Sequence, residues 1–181
     1  GVVTESDTIQ EQFQSENAEH IVYGVKYIKE GGGGGFRAPT NADKEALEAA
    51  EKRVQSDFEL NTLLATERYI GDEDRAGPYG VTEWRDAYTP RQLITHYEYL
   101  SAFNTVKDRI QKEYDPETAE ALLTILSLIS SKAVDRNIRF APFNTTKGYP
   151  ANAVGGKHFT LQWSFVDNNL TVGNQCYLDI V

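Results

Sequence analysis

Sulfur and histidine are nearly missing from this sequence. A single cysteine, Cys176, can close no disulfide within the chain and can build no cysteine-based zinc site. The three histidines, His20, His96 and His158, stand far apart, with no pair at the short spacing that helical metal sites use. No metal ligand set is assigned. Long apolar runs are absent too: the best, "AEALLTILSLISSKAV", is shorter than the roughly 20 residues a bilayer requires and is broken by serine and lysine. No charged-then-apolar leader precedes it. The expectation is a soluble cytoplasmic protein with no membrane partner. The chain opens on Gly1 and holds no methionine, so it is also expected to be a fragment.

Positive charge is in deficit. Eighteen lysines and arginines face 27 acids, for a net charge of −9 and a pI near 4.8. Such a surface repels phosphate on average, which counts against nucleic acid as a partner. Halophilic proteins carry the same excess, and in about 1 M salt charge repulsion is screened within about 3 Å. In a halophile the argument from charge lapses.

What is present suits a folded α+β domain with a predominantly helical core. Of 181 residues, 40% are hydrophobic and 25% charged, which is ordinary for a globular protein. Residues 1–19 read as a polar, loosely ordered lead-in and 20–181 as a single domain. "HIVYGVKYI", about 20–28, alternates Ile21, Tyr23, Val25 and Tyr27 on one side, the pattern of a strand with one buried face. "KEGGGGGFRAPT" reads as a mobile connector, because five glycines in a row lose much entropy on ordering. It lacks the helix, lysine and hydroxyl spacing of a phosphate loop.

Three helices follow from their start signals. Thr40 with Asp43 resembles a capping box ahead of a helix at about 41–57. Thr89, Pro90 and Gln92 mark a second, about 90–113, and Asp115 with Pro116 a third, about 116–135. Each cap is worth about 0.5 to 2 kcal/mol. In the third helix Ala119, Leu122, Leu123, Ile125, Leu126, Leu128, Ile129 and Ala133 run nearly all the way round, predicting a helix covered on most sides and central to the core. "FTLQWSFV", about 158–166, alternates like a half-buried strand, and "NQCYLDIV" offers another.

The candidates for contact with a partner flank these helices. Arg85 and Asp86 beside Trp84 read either as a surface ion pair against an indole or as a phosphate contact with Trp84 or Tyr88 stacking on a base. Arg91 sits in a first helical turn, where the dipole disfavours a cation, so it requires an anion, either Glu83 or Asp86 or a phosphate. In "VDRNIRF", Asp135 is placed to hold Arg136, and Asn137 and Arg139 serve either structure or base and phosphate contact. No Ser/His/acid cluster or paired-carboxylate motif stands out, so no catalytic residue is assigned.

The segments "FRAPTNADKEALEAA", "YGVTEWRDAYTPRQLITHYEYLSAF", "VDRNIRFAPFN" and "LQWSFVDNN" together resemble the large prokaryotic adenine-specific DNA methylases that carry a zinc-ribbon segment. The matching positions are Tyr79, Gly80, Thr82, Trp84 and Asp86, then Tyr88 to Leu93, then Asp135 to Asn137, and the likeness covers most of residues 27 to 170. The resemblance implies methyl transfer from S-adenosylmethionine to the exocyclic amine of a flipped adenine in DNA. The chain lacks the family's Asp/Asn-Pro-Pro-Tyr/Phe loop, its glycine-rich cofactor loop and its zinc-ribbon cysteines. It therefore resembles the central segment alone, inactive by itself, binding no cofactor alone, and partnered by the remaining methylase segments. Trp84, Arg85, Arg91, Asn137 and Arg139 are the candidate DNA contacts. The rival expectation is a non-enzymatic acidic protein-interaction module.

Overall fold

Where a polar residue stands ready to take up the free N–H groups of a first turn, this chain starts a helix. The computed structural model describes residues 6–15, 20–30, 32–63, 66–67, 76–153, 162 and 164–171. Among them lie five α-helices and two small antiparallel hairpins, an α+β and mostly helical fold. The helices are α1 (Ser6–Gln14), α2 (Asn41–Ser56), α3 (Phe58–Leu63), α4 (Pro90–Glu113) and α5 (Pro116–Arg136). The strands are β1 (Val25–Ile28) with β2 (Gly34–Arg37), and β3 (Phe143–Asn144) with β4 (Tyr149–Pro150).

The three expected helices stand at the expected places, and their caps are built. The Thr40 N–H donates to Asp43 Oδ2 at 2.7 Å. At α4 the box is reciprocal: Gln92 N–H donates to Thr89 Oγ1 at 3.2 Å, and Thr89 N–H donates to Gln92 Oε1 at 2.9 Å. At α5 the Thr118 N–H donates to Asp115 Oδ1 at 3.0 Å. α4 packs against both α2 and α5. Arg53 of α2 pairs with Glu98 of α4, and the Tyr99 hydroxyl of α4 donates to the Leu126 carbonyl of α5 at 2.8 Å.

Four expectations are corrected. The lead-in contains α1, whose Phe13 meets Tyr79 edge to face at 5.8 Å; a partner ring supplies what the polar sequence did not announce. The first strand is only Val25–Ile28, and Ile21 and Tyr23 are exposed, because the pairing strand β2 reaches no further than Val25. Of the glycine run, Gly32 to Gly35 form the turn and the start of the returning strand of a hairpin, and Gly31 lies outside the described residues. Gly32 and Gly33 take φ of 100° and 75°, and a Cβ on Gly34 would lie 2.2 Å from the Tyr27 carbonyl oxygen. Glycine is what lets the backbones approach, so the entropy argument for a connector is outweighed.

The fourth correction concerns α5. Among its residues Ala119, Ile129 and Ala133 are buried, but Ile125 is 47% and Leu128 64% exposed. Among the described residues it packs chiefly on α4, so one flank stays wet. The core lies beyond its C-terminus, where Ala76, Val81, Ala87, Ile138, Phe140, Ala141 and Ala153 pack with Trp84 and Tyr88. Of the strand expected at 158–166, residues 158–161 and 163 lie outside the described residues, while Gln162 and Ser164–Val166 carry no strand. "NQCYLDIV" lies wholly outside them.

Candidate functional site

Four stretches, the first two of them adjacent in sequence, meet at the N-terminus of α4. They are a 3-10 turn at Trp84–Ala87, the α4 cap, the link Asn137–Ala141 after α5, and the segment 164–171. The turn forms because Asp86 Oδ2 accepts three bonds, from Thr82 N–H at 2.9 Å, Thr82 Oγ1 at 3.0 Å and Glu83 N–H at 2.8 Å. The carboxylate thus caps its own turn, at a helix-like N-terminus that favours an anion.

The cap of α4 reaches outward as well as inward. Gln92 is fully buried, and its Nε2 donates to the Val166 carbonyl at 3.1 Å while its Oε1 holds the Thr89 N–H. Thr89 Oγ1 donates to Asp167 Oδ2 at 3.3 Å, and Arg91 Nε stands 3.6 Å from the same oxygen. Burial raises the Asp167 carboxyl above the usual carboxylate range, opposed by Arg91 and Thr89. The anion that Arg91 requires is therefore Asp167, and not Glu83 or Asp86.

The link after α5 completes the junction. Asn137 Oδ1 accepts from the Asn168 N–H at 3.0 Å, and the Asn137 carbonyl lies 3.1 Å from His96 Nε2. A carbonyl only accepts, so His96 carries its hydrogen on Nε2. Burial pulls His96 below its ordinary value, and pushes the Tyr88 phenol, edge to face with it at 5.5 Å, up to about 12. Arg139 donates from Nη1 to the Asp86 carbonyl at 2.6 Å and lies 5.8 Å above the Phe165 ring. Desolvation lowers its guanidinium and the Asp86 charge opposes the shift.

The structure brings all five candidate contact residues into this one neighbourhood, in two different settings. Asn137 and Arg139 are buried, turned to the protein's own backbone. Arg85 and Arg91 lie at the rim with side chains 39% and 43% exposed. Arg85 pairs with Glu83 at 2.6 Å rather than with Asp86, whose carboxylate is taken by the turn. Trp84 is half-buried against the core. Asp135 holds Lys132 at 3.3 Å, leaving Arg136 to Asn152.

Comparison with known proteins identifies no relative. No family model, curated protein or solved structure matches this chain.

Residues central to the junction that the sequence did not single out are His96, Asp167 and Asn168. Gln92 was legible as a cap but not as a bridge, because its Val166 partner lies 74 residues away. The buried nitrogens Asn137 Nδ2, Asn168 Nδ2 and Arg139 Nε have no acceptor among the described residues. Each such group costs about 1 to 3 kcal/mol. Among the described residues there is no group of three His, Cys, Asp or Glu side chains able to hold a metal ion, and no helix long and apolar enough to cross a membrane. Among the described residues the arrangement positions backbone segments.

Proposed function

We propose that the chain is a structural segment of an adenine-specific DNA methylase that uses S-adenosylmethionine. By itself it is inactive, and the cofactor and catalytic loops belong to other segments. Its junction braces the fold while Arg85 and Arg91, beside Trp84, face the DNA backbone. One observation supports this most: three of the four segments that carry the resemblance, around Tyr79–Leu93, Asp135–Asn137 and Val166–Asn169, converge on one hydrogen-bonded unit. In this reading phosphate replaces Glu83 and Asp167 as the partner of the rim arginines.

The test is methyl transfer by the product of the complete gene. Incubated with labelled S-adenosylmethionine and an adenine-containing duplex, that protein is expected to label adenine N6, and Asn137→Ala is expected to abolish most of the transfer. A complete gene product that leaves adenine unmethylated overturns the reading. The second reading, an acidic protein-interaction module, is favoured by the exposed Ile125 and Leu128 of α5 and Leu100 of α4. It requires a stable protein partner and no methyl transfer.

A further inference from the structure

A second cationic surface lies away from that rim. Three basic side chains from three separate elements gather around the turn between β3 and β4. Lys26 of β1 donates from Nζ to the Gly148 carbonyl. Arg136, the last residue of α5, stands 5.9 Å from the centre of the Tyr149 ring, and Lys147 Nζ stands 6.0 Å from the same centre. Two cations thus share one ring while a third holds the adjoining peptide. Phe36 of β2 is exposed nearby and meets Phe143 of β3 edge to face at 6.2 Å.

The cluster is a local gathering of positive charge in a chain of net charge −9. Arg37, Arg53, Arg85, Arg91, Arg109 and Lys132 each have a carboxylate within 4 Å. Among the described residues, Lys26, Arg136 and Lys147 have none, as is true also of Lys29, Lys44, Lys52, Lys107, Lys112 and Arg139; what sets the three apart is that they gather around Tyr149. Like charges gathered by the fold repel one another, and an aromatic face recovers only about 0.5 to 1 kcal/mol at an exposed site. An external polyanion relieves that repulsion, and phosphates spaced along a strand match cations set around a ring.

We propose that Lys26, Arg136 and Lys147, arranged around Tyr149, form a contact surface for the phosphate backbone of duplex DNA. The choice of DNA as the polyanion rests on the proposed function; the surface itself rests on the geometry. Its test is a fluorescence-anisotropy titration of the chain on a labelled duplex between about 50 mM and about 200 mM salt. The three phosphates neutralised here contribute about −3 to the slope of log affinity on log salt, beyond whatever Arg85 and Arg91 add, and Lys26→Gln and Lys147→Gln each flatten it by about one. Arg109→Gln, which removes an equal charge from α4, leaves it unchanged. The Lys147 ammonium makes only its ring contact, so Lys147→Gln stays informative if Lys26→Gln unfolds the hairpin.

Three results overturn the proposal: no binding at the lowest salt, slopes for both lysine variants equal to that of Arg109→Gln, or RNA of the same length competing as well as the duplex. Failure of methyl transfer with the lysine-dependent slope intact would remove the methylase reading and leave this surface standing.

Discussion

His96 shows how one buried side chain makes the fold sensitive to pH. It is held neutral by burial, with its Nε2–H on the Asn137 carbonyl, and its ordinary value is 6.5. In the unfolded chain the ring takes a proton as pH falls through 6.5, while the folded ring resists until lower pH. The unfolded state then binds more protons, so stability drops on acidification below about 6.5. His20, also lowered by burial and by Arg139, acts in the same direction. Asp167, raised above 3.8, acts in the opposite direction. Thermal melts from about pH 7 to about pH 5 should show a falling melting temperature, and His96→Gln should flatten the decline. A wild-type melting temperature that is constant over this range would refute the assignment. None of this was legible in the sequence: a lone histidine in a helix announces neither its burial nor a carbonyl 41 residues away.

Elements divide into those with local causes and those without. The starts of α2, α4 and α5 were readable because a cap and the N–H it satisfies lie within four residues. Thr89→Ala should therefore cost about 0.5 to 2 kcal/mol in urea unfolding, and Thr89→Ser should recover most of it. An Ala variant as stable as wild type would mean that the cap does not limit the helix. Coverage is different. The ring of apolar residues on α5 specifies a greasy helix but not how many neighbours arrive, and in the fold Leu128 is 64% exposed. Leu128→Ala is expected to change stability by no more than about 0.5 kcal/mol, whereas Phe140→Ala, from the fully buried core, should cost about 3 to 5 kcal/mol. Equal costs would restore α5 to the centre of the core. The glycine hairpin was misread because its order comes from a strand partner, and only pairing reveals that Gly34 has no room for a Cβ.

For the molecule as a whole, the −9 charge sets a salt response. Self-repulsion works against the compact state, and raising salt from about 0.1 M to about 1 M shortens the screening length from about 10 Å to about 3 Å. The melting temperature should rise, by about 2 to 4 °C for each kcal/mol gained; a fall would mean that the surface ion pairs outweigh the repulsion. Charge, helix starts, helix lengths and the absence, among the described residues, of a helix both long and apolar enough to cross a bilayer follow from composition and from signals a few residues long. The sequence by itself therefore determined the α+β, mostly helical class and the three principal helices. Only the tertiary structure decided where the core sits, that Asp167 neutralises Arg91, that Asn137 and Arg139 face inward, and that three cations gather at Tyr149. Those outcomes depend on groups up to 122 residues apart meeting in space, and no local pattern encodes which distant partner a side chain will find.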